Sequence, residues 1–193
     1  MNHSPPSFAT LGDNCIDRYL HLQQAAVGGN ALNVAVQLAR LGERCSYFGA
    51  VGQDEAADWT RTALQDNVGA TALYAPTTAD IRALAGMDHI HIGWFNGSAA
   101  LRHALVASGA TFSQDVAVNA EAIGLDIAFD SVGPSEALAQ AALQRLLAMG
   151  AHVAVVTCGA MGSMASDGGD VLKVGSRPLP QVIDTTGAGD TFI

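Results

Sequence analysis

The segment DTTGAGD, which spans residues 184–190, has the composition of an anion-binding turn. The small residues Gly187, Ala188 and Gly189 let backbone N–H groups converge on an anion, and a helix starting there would add the positive end of its dipole. Asp190 beside those amides could take a proton from a hydroxyl group that attacks a phosphoryl group. A plain loop is the alternative, because Gly-Ala-Gly is a common sequence.

Two other phosphate-binding motifs are excluded. The motif GxxxxGK[ST] needs a lysine, and the single lysine, Lys173, lies in the unrelated context VLKVG. The motif GxGxxG needs a third glycine and a following strand–helix–strand unit, which Gly187 and Gly189 lack.

A second group of polar residues and glycines lies near the N-terminus. Carboxylates and amides at strand ends and helix starts suit a polyhydroxylated ligand, because each hydroxyl group both donates and accepts a hydrogen bond. Turn formation and helix capping are the alternative for any single member. The members are Asp13, Asn14, Asp17, Gly28, Gly29, Asn30 and Asn33.

The elements that must position these residues alternate between strands and helices. Apolar runs predict strands over residues 8–12, 45–51, 89–95, 110–115, 125–129 and 151–157, the last buried on both faces. Helices are predicted over residues 30–41, 54–66, 99–108 and 134–149, and a hairpin over 161–174 with its turn at 167–169. The first helix is expected to present Leu32, Ala35, Val36 and Ala39 on one face and to end at Gly42. This alternation predicts an α/β sandwich with a largely parallel sheet, in one domain over residues 1–193.

Composition and charge argue against several classes of protein. The 193 residues carry a net charge of −9, and the nine lysines and arginines are scattered, which argues against a nucleic-acid or anionic-membrane binder. The opening MNHSPPS predicts no signal peptide, and the lack of an 18-residue apolar run predicts no transmembrane helix. Three cysteines without CxxC spacing predict free thiols in a reducing cytoplasm.

Three further features have structural interpretations beside functional ones. His89 and His91 share a strand face and are interpreted as core or rim histidines, with a metal site as the alternative. Trp94 and Phe95 are interpreted as core residues, with a ligand pocket as the alternative. Asp115 at a strand end is either a turn residue or part of a pocket.

Three motifs together resemble the ribokinase-like (PfkB) carbohydrate kinases. They are GGN at 28–30 with NVA at 33–35 and VGQD at 51–54, TCGAMGS at 157–163, and DTTGAGD. The segments LGDNCID and GGNALNVAV are most similar to the fructosamine (fructoselysine) 6-kinase branch. The resemblance implies a three-layer α/β/α sandwich with a mostly parallel central sheet. It also implies ATP-dependent phosphorylation of a primary hydroxyl of a fructoselysine-type adduct or, second, of another ketose or sugar acid.

The resemblance also implies roles for individual residues. Asp190 would be the general base, and the amides of Gly187, Ala188 and Gly189 would hold the transferred phosphoryl group. The N-terminal group defined above would bind the sugar. Thr157, Gly159 and Gly162 would lie along ATP. Asp184 and Thr186 would help hold a monovalent cation, usually K⁺, and Mg²⁺ would bridge the ATP phosphates mostly through water.

The chain departs from the family pattern at three places. Family members continue beyond the helix that DTTGAGD opens, so the domain is expected to be incomplete at its C-terminus. Residues 67–78 leave little room for the family's lid strands, which predicts a lid that is reduced or absent and puts the family's usual homodimer contact in doubt. Glu136 matches poorly the glutamate that helps place Mg²⁺ in relatives. These departures favour the alternative of a fragment that binds sugar without phosphotransfer.

Overall fold

Two compact units, Met1–Ala110 and Thr111–Ile193, make up the chain and are described separately as the N-terminal and C-terminal units. The computed structural model describes residues 5–20, 22–63, 75–117, 122–177 and 188–193. The interpretation of the chain as one domain stays a prediction.

The N-terminal unit is built around a parallel sheet in which β1 lies between β4 and β5. Leu11 at the end of β1 is opposite Phe48 on one side and Ile92 on the other. Ala9, Leu11, Ile90 and Ile92 are fully buried and form the core of this sheet. The elements of the unit are β1 (Ser7–Leu11), β2 (Cys15–Tyr19), β3 (Gln24–Gly28), α1 (Asn30–Arg40), β4 (Arg44–Phe48), α2 (Glu55–Ala63), α3 (Thr78–Leu84), β5 (His89–Ile92) and α4 (Ser98–Leu105).

A separate antiparallel pair, β2 and β3, comes between β1 and α1. Its register places Cys15 opposite Gly28 and Tyr19 opposite Gln24. This pair is not predicted from the sequence, because the segment lacks a sustained alternation of apolar and polar residues. The family's lid strands would lie between α2 and β5. Residues 64–74 of this segment are outside the described part of the chain, and they are followed by α3.

The C-terminal unit has parallel strands followed by an antiparallel edge. β7 pairs in parallel with β6 and β8, and β9 and β10 then run antiparallel to their neighbours. Leu143 and Leu146 of α5 are buried in the core of this unit. Its elements are β6 (Thr111–Asp115), β7 (Ile127–Ser131), α5 (Glu136–Ala148), β8 (Val153–Thr157), a 3₁₀ turn (Gly159–Met161), β9 (Ser163–Ser166), β10 (Leu172–Val174) and α6 (Ala188–Phe192).

The predicted α/β class with mostly parallel strands is confirmed, and so is the hairpin, whose turn has Gly168 at φ +99°. Two details of the prediction are wrong. Of the face predicted for α1, Leu32 is buried, but Ala35 and Val36 are half-buried and Ala39 is exposed. The other buried residues of α1 are Asn30, Ala31 and Val34, because its N-terminal turn packs against the sheet. Strand β8 alternates between buried and half-buried residues, so only one of its faces is fully covered.

Other local features agree with the sequence. Gly42 follows α1 with φ +87°, as expected for the residue after a helix end. All three cysteines are free thiols. Within the described ranges, no helix combines the length and apolar character needed to cross a membrane.

Candidate functional site

Asp13 is the centre of the polar group in the N-terminal unit. Its Oδ2 accepts a hydrogen bond from the Asn30 N–H at 2.7 Å, and its Oδ1 accepts from the N–H groups of Trp94 at 3.0 Å and Ala31 at 3.3 Å. The carboxylate therefore caps the start of α1, where negative charge is favourable, and ties it to the end of β5. A carboxylate has about four acceptor positions and accepts these three hydrogen bonds, which allows a sugar hydroxyl to donate a further one. This direct contact with sugar stays a prediction.

Asn14 forms a second connection beside Asp13. Its Nδ2 donates to the Tyr47 hydroxyl at 2.9 Å and to the carbonyl oxygen of Ala50 at 3.4 Å. Tyr47 in turn donates to the carbonyl oxygen of Gly12 at 2.9 Å. Burial raises the pKa of Tyr47, against the lowering effect of the Asn14 hydrogen bond and with a further rise from the Asp13 charge. Tyr47 therefore stays a neutral donor, a role that the sequence analysis missed.

Glycine is required where the chain enters α1. Gly29 has φ +114°, and a Cβ there would lie 2.5 Å from Asn14 Cα and 2.7 Å from the Asp13 carbonyl oxygen. A Cβ on Gly28 would collide with Asp17 Oδ2. Gly29 thus allows α1 to approach the residues that follow β1, and Gly28 allows β3 to lie close to Asp17 of β2.

Asn30 is held by a histidine of the neighbouring strand. Its Oδ1 lies 3.0 Å from His91 Nε2, and the two residues are 7% and 2% exposed. Burial lowers the pKa of His91 to about 3, with a smaller contribution from His89. The ring is therefore neutral and donates its Nε2–H to Asn30. This confirms the interpretation of His91 as a core histidine, and no cluster of three or more potential metal ligands occurs in the described part of the chain.

The other predicted sugar-binding residues lie close by in the sequence and the fold. Asp17 of β2 is half-buried and accepts a weak hydrogen bond from the Cys15 thiol, with Sγ 3.5 Å from Oδ1. Asn33 is half-buried one turn into α1. The structure therefore brings Asp13, Asn14, Gly29 and Asn30 together and places Asp17 beside Gly28.

Trp94 and Phe95 diverge in their environments. Phe95 is 2% exposed, as a core residue should be, but Trp94 is 42% exposed. The core interpretation is therefore wrong for Trp94, because the chain turns just after β5 and only the second aromatic ring enters the interior. Asp115 ends β6 and accepts from the Ala117 N–H at 2.9 Å, which is the turn role considered for it.

The predicted nucleotide loop lies at the carboxyl end of β8 in the C-terminal unit. Thr157 Oγ1 donates to Ser131 Oγ at 2.9 Å, so the ends of β7 and β8 present a pair of hydroxyl groups. Ser131 was not identified from the sequence. No local sequence pattern indicates the pairing of Ser131 with Thr157, because the two residues are 26 positions apart.

The glycines of this loop have distinct environments. Gly159 has φ +54° and would meet no neighbour with an added Cβ. Gly162 has φ +95°, and a Cβ there would collide with the Val174 carbonyl oxygen and lie 2.7 Å from Ser176 N. Gly162 therefore keeps the loop tight against the segment after β10.

Glu136, the weak Mg²⁺ candidate, forms an ion pair with Lys173. The pair links the start of α5 to β10. Burial raises the pKa of the adjacent Cys158 thiol, and the Glu136 charge adds to this rise.

Asp190 lies in the first turn of α6 and is half-buried. Ala188 and Gly189 precede it and are exposed, and the first turn of a helix leaves its amides without intrahelical partners. Asp184, Thr186 and Gly187 lie outside the described residues, so their predicted roles stay predictions.

Comparisons with known proteins agree with these observations. The model of the pfkB family carbohydrate kinases matches residues 18–88 and 119–193. The chain is 29% identical to fructoselysine 6-kinase of Escherichia coli over an alignment of 226 positions, which covers 97% of the chain and 86% of the relative. It is 55% identical to fructosamine kinase FrlD of Bacillus subtilis over 47 residues, which cover 24% of the chain and 16% of that relative.

A solved structure, Arabidopsis thaliana ribokinase complexed with ribose and ATP, has a similar fold. The TM-score is 0.79 at 17% identity, and the match covers 98% of this chain and 84% of the ribokinase. The predicted ribokinase-like α/β fold is thereby confirmed.

The family match defines a carbohydrate kinase, which is a phosphotransferase that acts on sugars, and the fold agrees with this class. The chain belongs to the pfkB family of carbohydrate kinases.

Proposed function

We propose that this kinase transfers the γ-phosphoryl group of ATP to a primary hydroxyl of a sugar–amine adduct of the fructoselysine type. The observation that carries this proposal is the alignment with fructoselysine 6-kinase, which extends over 97% of the chain. Other ketoses and sugar acids are the second choice of substrate. The polar group around Asp13 and Asn14 supports a polyhydroxylated ligand, since it supplies carboxylate and amide groups at the ends of parallel strands.

Asp190 is the general base in the proposed reaction. Its carboxylate takes the proton of the substrate hydroxyl, the hydroxyl oxygen bonds to the γ-phosphorus, and the bond to the β-phosphate oxygen breaks to release ADP. The amides of Gly187, Ala188 and Gly189 donate to the phosphoryl oxygens as negative charge moves across them. The half-buried position of Asp190 in the first turn of α6 supports this role.

The sugar is held by residues of the N-terminal unit and ATP by residues of the C-terminal unit. Asn14 and Asn33 present amides, and Asp17 presents a carboxylate, from half-buried positions. Gly28, Gly29 and Asn30 keep the entry to α1 close to Asp13. Thr157, Gly159 and Gly162 lie along the nucleotide.

Two cations belong to the proposal. Mg²⁺ neutralises charge on the ATP phosphates when bound, and K⁺ is assigned to Asp184 and Thr186. The ion pair with Lys173 argues against Glu136 as a Mg²⁺ ligand. We assign Mg²⁺ to no side chain of the described ranges.

The competing proposal is a chain that binds sugar without phosphotransfer. It is motivated by the short segment 67–78, which leaves little room for the family's lid strands. An open sugar site admits water, so hydrolysis of ATP could compete with transfer.

The test is the variant Asp190→Asn in an assay of ADP release with Mg²⁺ and K⁺ present. The substrates are fructoselysine, fructose, ribose, 2-keto-3-deoxygluconate and adenosine. Loss of the base should lower kcat at least about a hundredfold and leave sugar affinity, measured by calorimetry, within about threefold. The control is Asp170→Asn, an exposed aspartate of the same unit, which should retain wild-type turnover.

Activity of Asp190→Asn within tenfold of wild type would contradict the assignment of the base. Sugar binding by the wild-type chain without any ADP release would favour the competing proposal.

A further inference from the structure

Trp94 is an exposed aromatic residue whose backbone is fixed to the candidate sugar site. Its N–H donates to Asp13 Oδ1 at 3.0 Å, and the preceding Gly93 N–H donates to the Leu11 carbonyl oxygen at 2.8 Å. The next residue, Phe95, is anchored in the core at 2% exposure. The backbone of Trp94 is therefore fixed by its own hydrogen bond and by the residues before and after it, whereas Trp94 itself is 42% exposed.

Close packing restricts this segment further. A Cβ on Gly93 would lie 2.5 Å from Asp13 Oδ1 and 2.7 Å from the Ala31 side chain. A Cβ on Gly12 would lie 3.1 Å from Trp94 N. The indole of Trp94 thus begins three bonds, through Cα and Cβ, from the backbone nitrogen that donates to the Asp13 carboxylate.

An exposed indole whose backbone is held by a carboxylate has the chemistry to bind a cationic sugar derivative. The aromatic face attracts cations, and its apolar surface covers the C–H face of a sugar. The carboxylate of Asp13 adds negative charge at the same place, and this charge contributes to the raised pKa of Tyr47. A sugar–amine adduct carries a secondary amine that is protonated near neutral pH, whereas a free ketose is neutral.

We propose that Trp94 contacts the substrate and selects sugar–amine adducts over neutral sugars through their ammonium group. This inference rests on the proposed function and goes beyond it by assigning the specificity to one residue. Asp13 contributes by fixing the Trp94 backbone and by its charge.

The first experiment compares steady-state kinetics of Trp94→Ala and Trp94→Phe with fructoselysine and with fructose. Loss of the cation–π contact should raise KM for fructoselysine about tenfold in Trp94→Ala and by less in Trp94→Phe. The KM for fructose should change less than threefold, and kcat and the KM for ATP should stay near wild type. The matched control is Trp59→Ala in α2, since Trp59 is similarly exposed at 46%.

The second experiment measures binding without turnover. The chain has two tryptophans, so the variant Trp59→Phe leaves Trp94 as the single indole reporter. Fructoselysine without ATP should change its fluorescence saturably, and fructose should do so only at much higher concentration.

The outcomes separate this inference from the proposed function. Turnover of fructoselysine with an unchanged KM in Trp94→Ala and no fluorescence change would overturn the role of Trp94 and keep the kinase. A saturable fluorescence change without ADP release would support Trp94 and reject phosphotransfer. Absence of both binding and turnover in the wild-type chain would overturn both.

Discussion

At the scale of single residues, Asp13 joins three segments of the N-terminal unit. Its carboxylate accepts from the backbone of Asn30 and Ala31 in α1 and from Trp94 after β5. A substitution at Asp13 would therefore disturb the helix start together with any sugar contact. The variants Asp190→Asn and Trp94→Ala leave in place both the Asp13 carboxylate and the three backbone N–H groups that it binds.

His91 offers a test of the buried polar pair with Asn30. Its folded-state pKa of about 3 lies below the ordinary value of 6.5, because burial disfavours the charged ring. Between these two values the unfolded chain binds a proton that the folded chain rejects. The contribution of His91 to stability is therefore full above pH 6.5 and declines as the pH falls toward 3.

We expect this pH dependence to disappear in His91→Gln. In the wild-type chain the decline is at most about 1.4 kcal/mol per pH unit below pH 6.5, so wild type should lose about 2 kcal/mol more than the variant between pH 6.5 and 5. Urea unfolding at pH 5, 6 and 7.5 measures the difference, with the exposed His103→Gln as control. Parallel pH profiles for wild type and His91→Gln would contradict the prediction.

At the scale of elements, the start of α1 depends on a close approach to the end of β5. Gly93 lies where the two meet, and a Cβ there would come within 2.8 Å of the Ala31 backbone nitrogen as well as its side chain. Neither contact can be relieved by rotating a flexible side chain. The packing of α1 is thus controlled by a glycine 62 positions away from Ala31 in the sequence.

We predict that Gly93→Ala destabilises the protein by about 1–3 kcal/mol, the usual cost of overpacking a tight contact. The control is Gly86→Ala in the same unit, where a Cβ would make an ordinary contact of 3.5 Å with the Ala83 carbonyl oxygen. Equilibrium urea unfolding followed by circular dichroism compares the two. Equal stability of the two variants would show that the contact at Gly93 relaxes without cost.

At the scale of the whole molecule, the predicted ligands are divided between the two units. The residues assigned to sugar fall in Met1–Ala110, and those assigned to ATP and to the base fall in Thr111–Ile193. The net charge of −9 favours a cationic adduct over a polyanion in long-range attraction. ATP binding then depends on local amide donors and cations.

This division predicts separable kinetic effects. Asn14→Ala should raise the KM for sugar about tenfold, because a factor of this size corresponds to the free energy of one lost hydrogen bond. The KM for ATP should stay unchanged. Thr157→Val removes one hydroxyl of the pair with Ser131 and should raise only the KM for ATP. Steady-state kinetics with each substrate varied in turn provides the measurement, and a rise of both KM values in either variant would argue against the division.

Local patterns in the sequence were sufficient to predict the class of fold and to indicate the family. Helix α1 ends before Gly42, α5 begins after its cap Ser135, and the hairpin turns at Gly168, because caps, turns and periodicity act over a few neighbouring residues. The motifs around Gly28, Gly159 and Asp190 indicated a ribokinase-like carbohydrate kinase, which the family match confirms.

The partners of the site residues depend on the tertiary structure. Asp13 reaches Asn30 across 17 positions and Trp94 across 81, and His91 reaches Asn30 across 61. Such partners depend on which strands pair and which helix turn packs on them, and no local pattern encodes that choice. The exposure of Trp94 beside a buried Phe95 arises in the same way, since a turn after β5 directs one ring inward and leaves the other accessible.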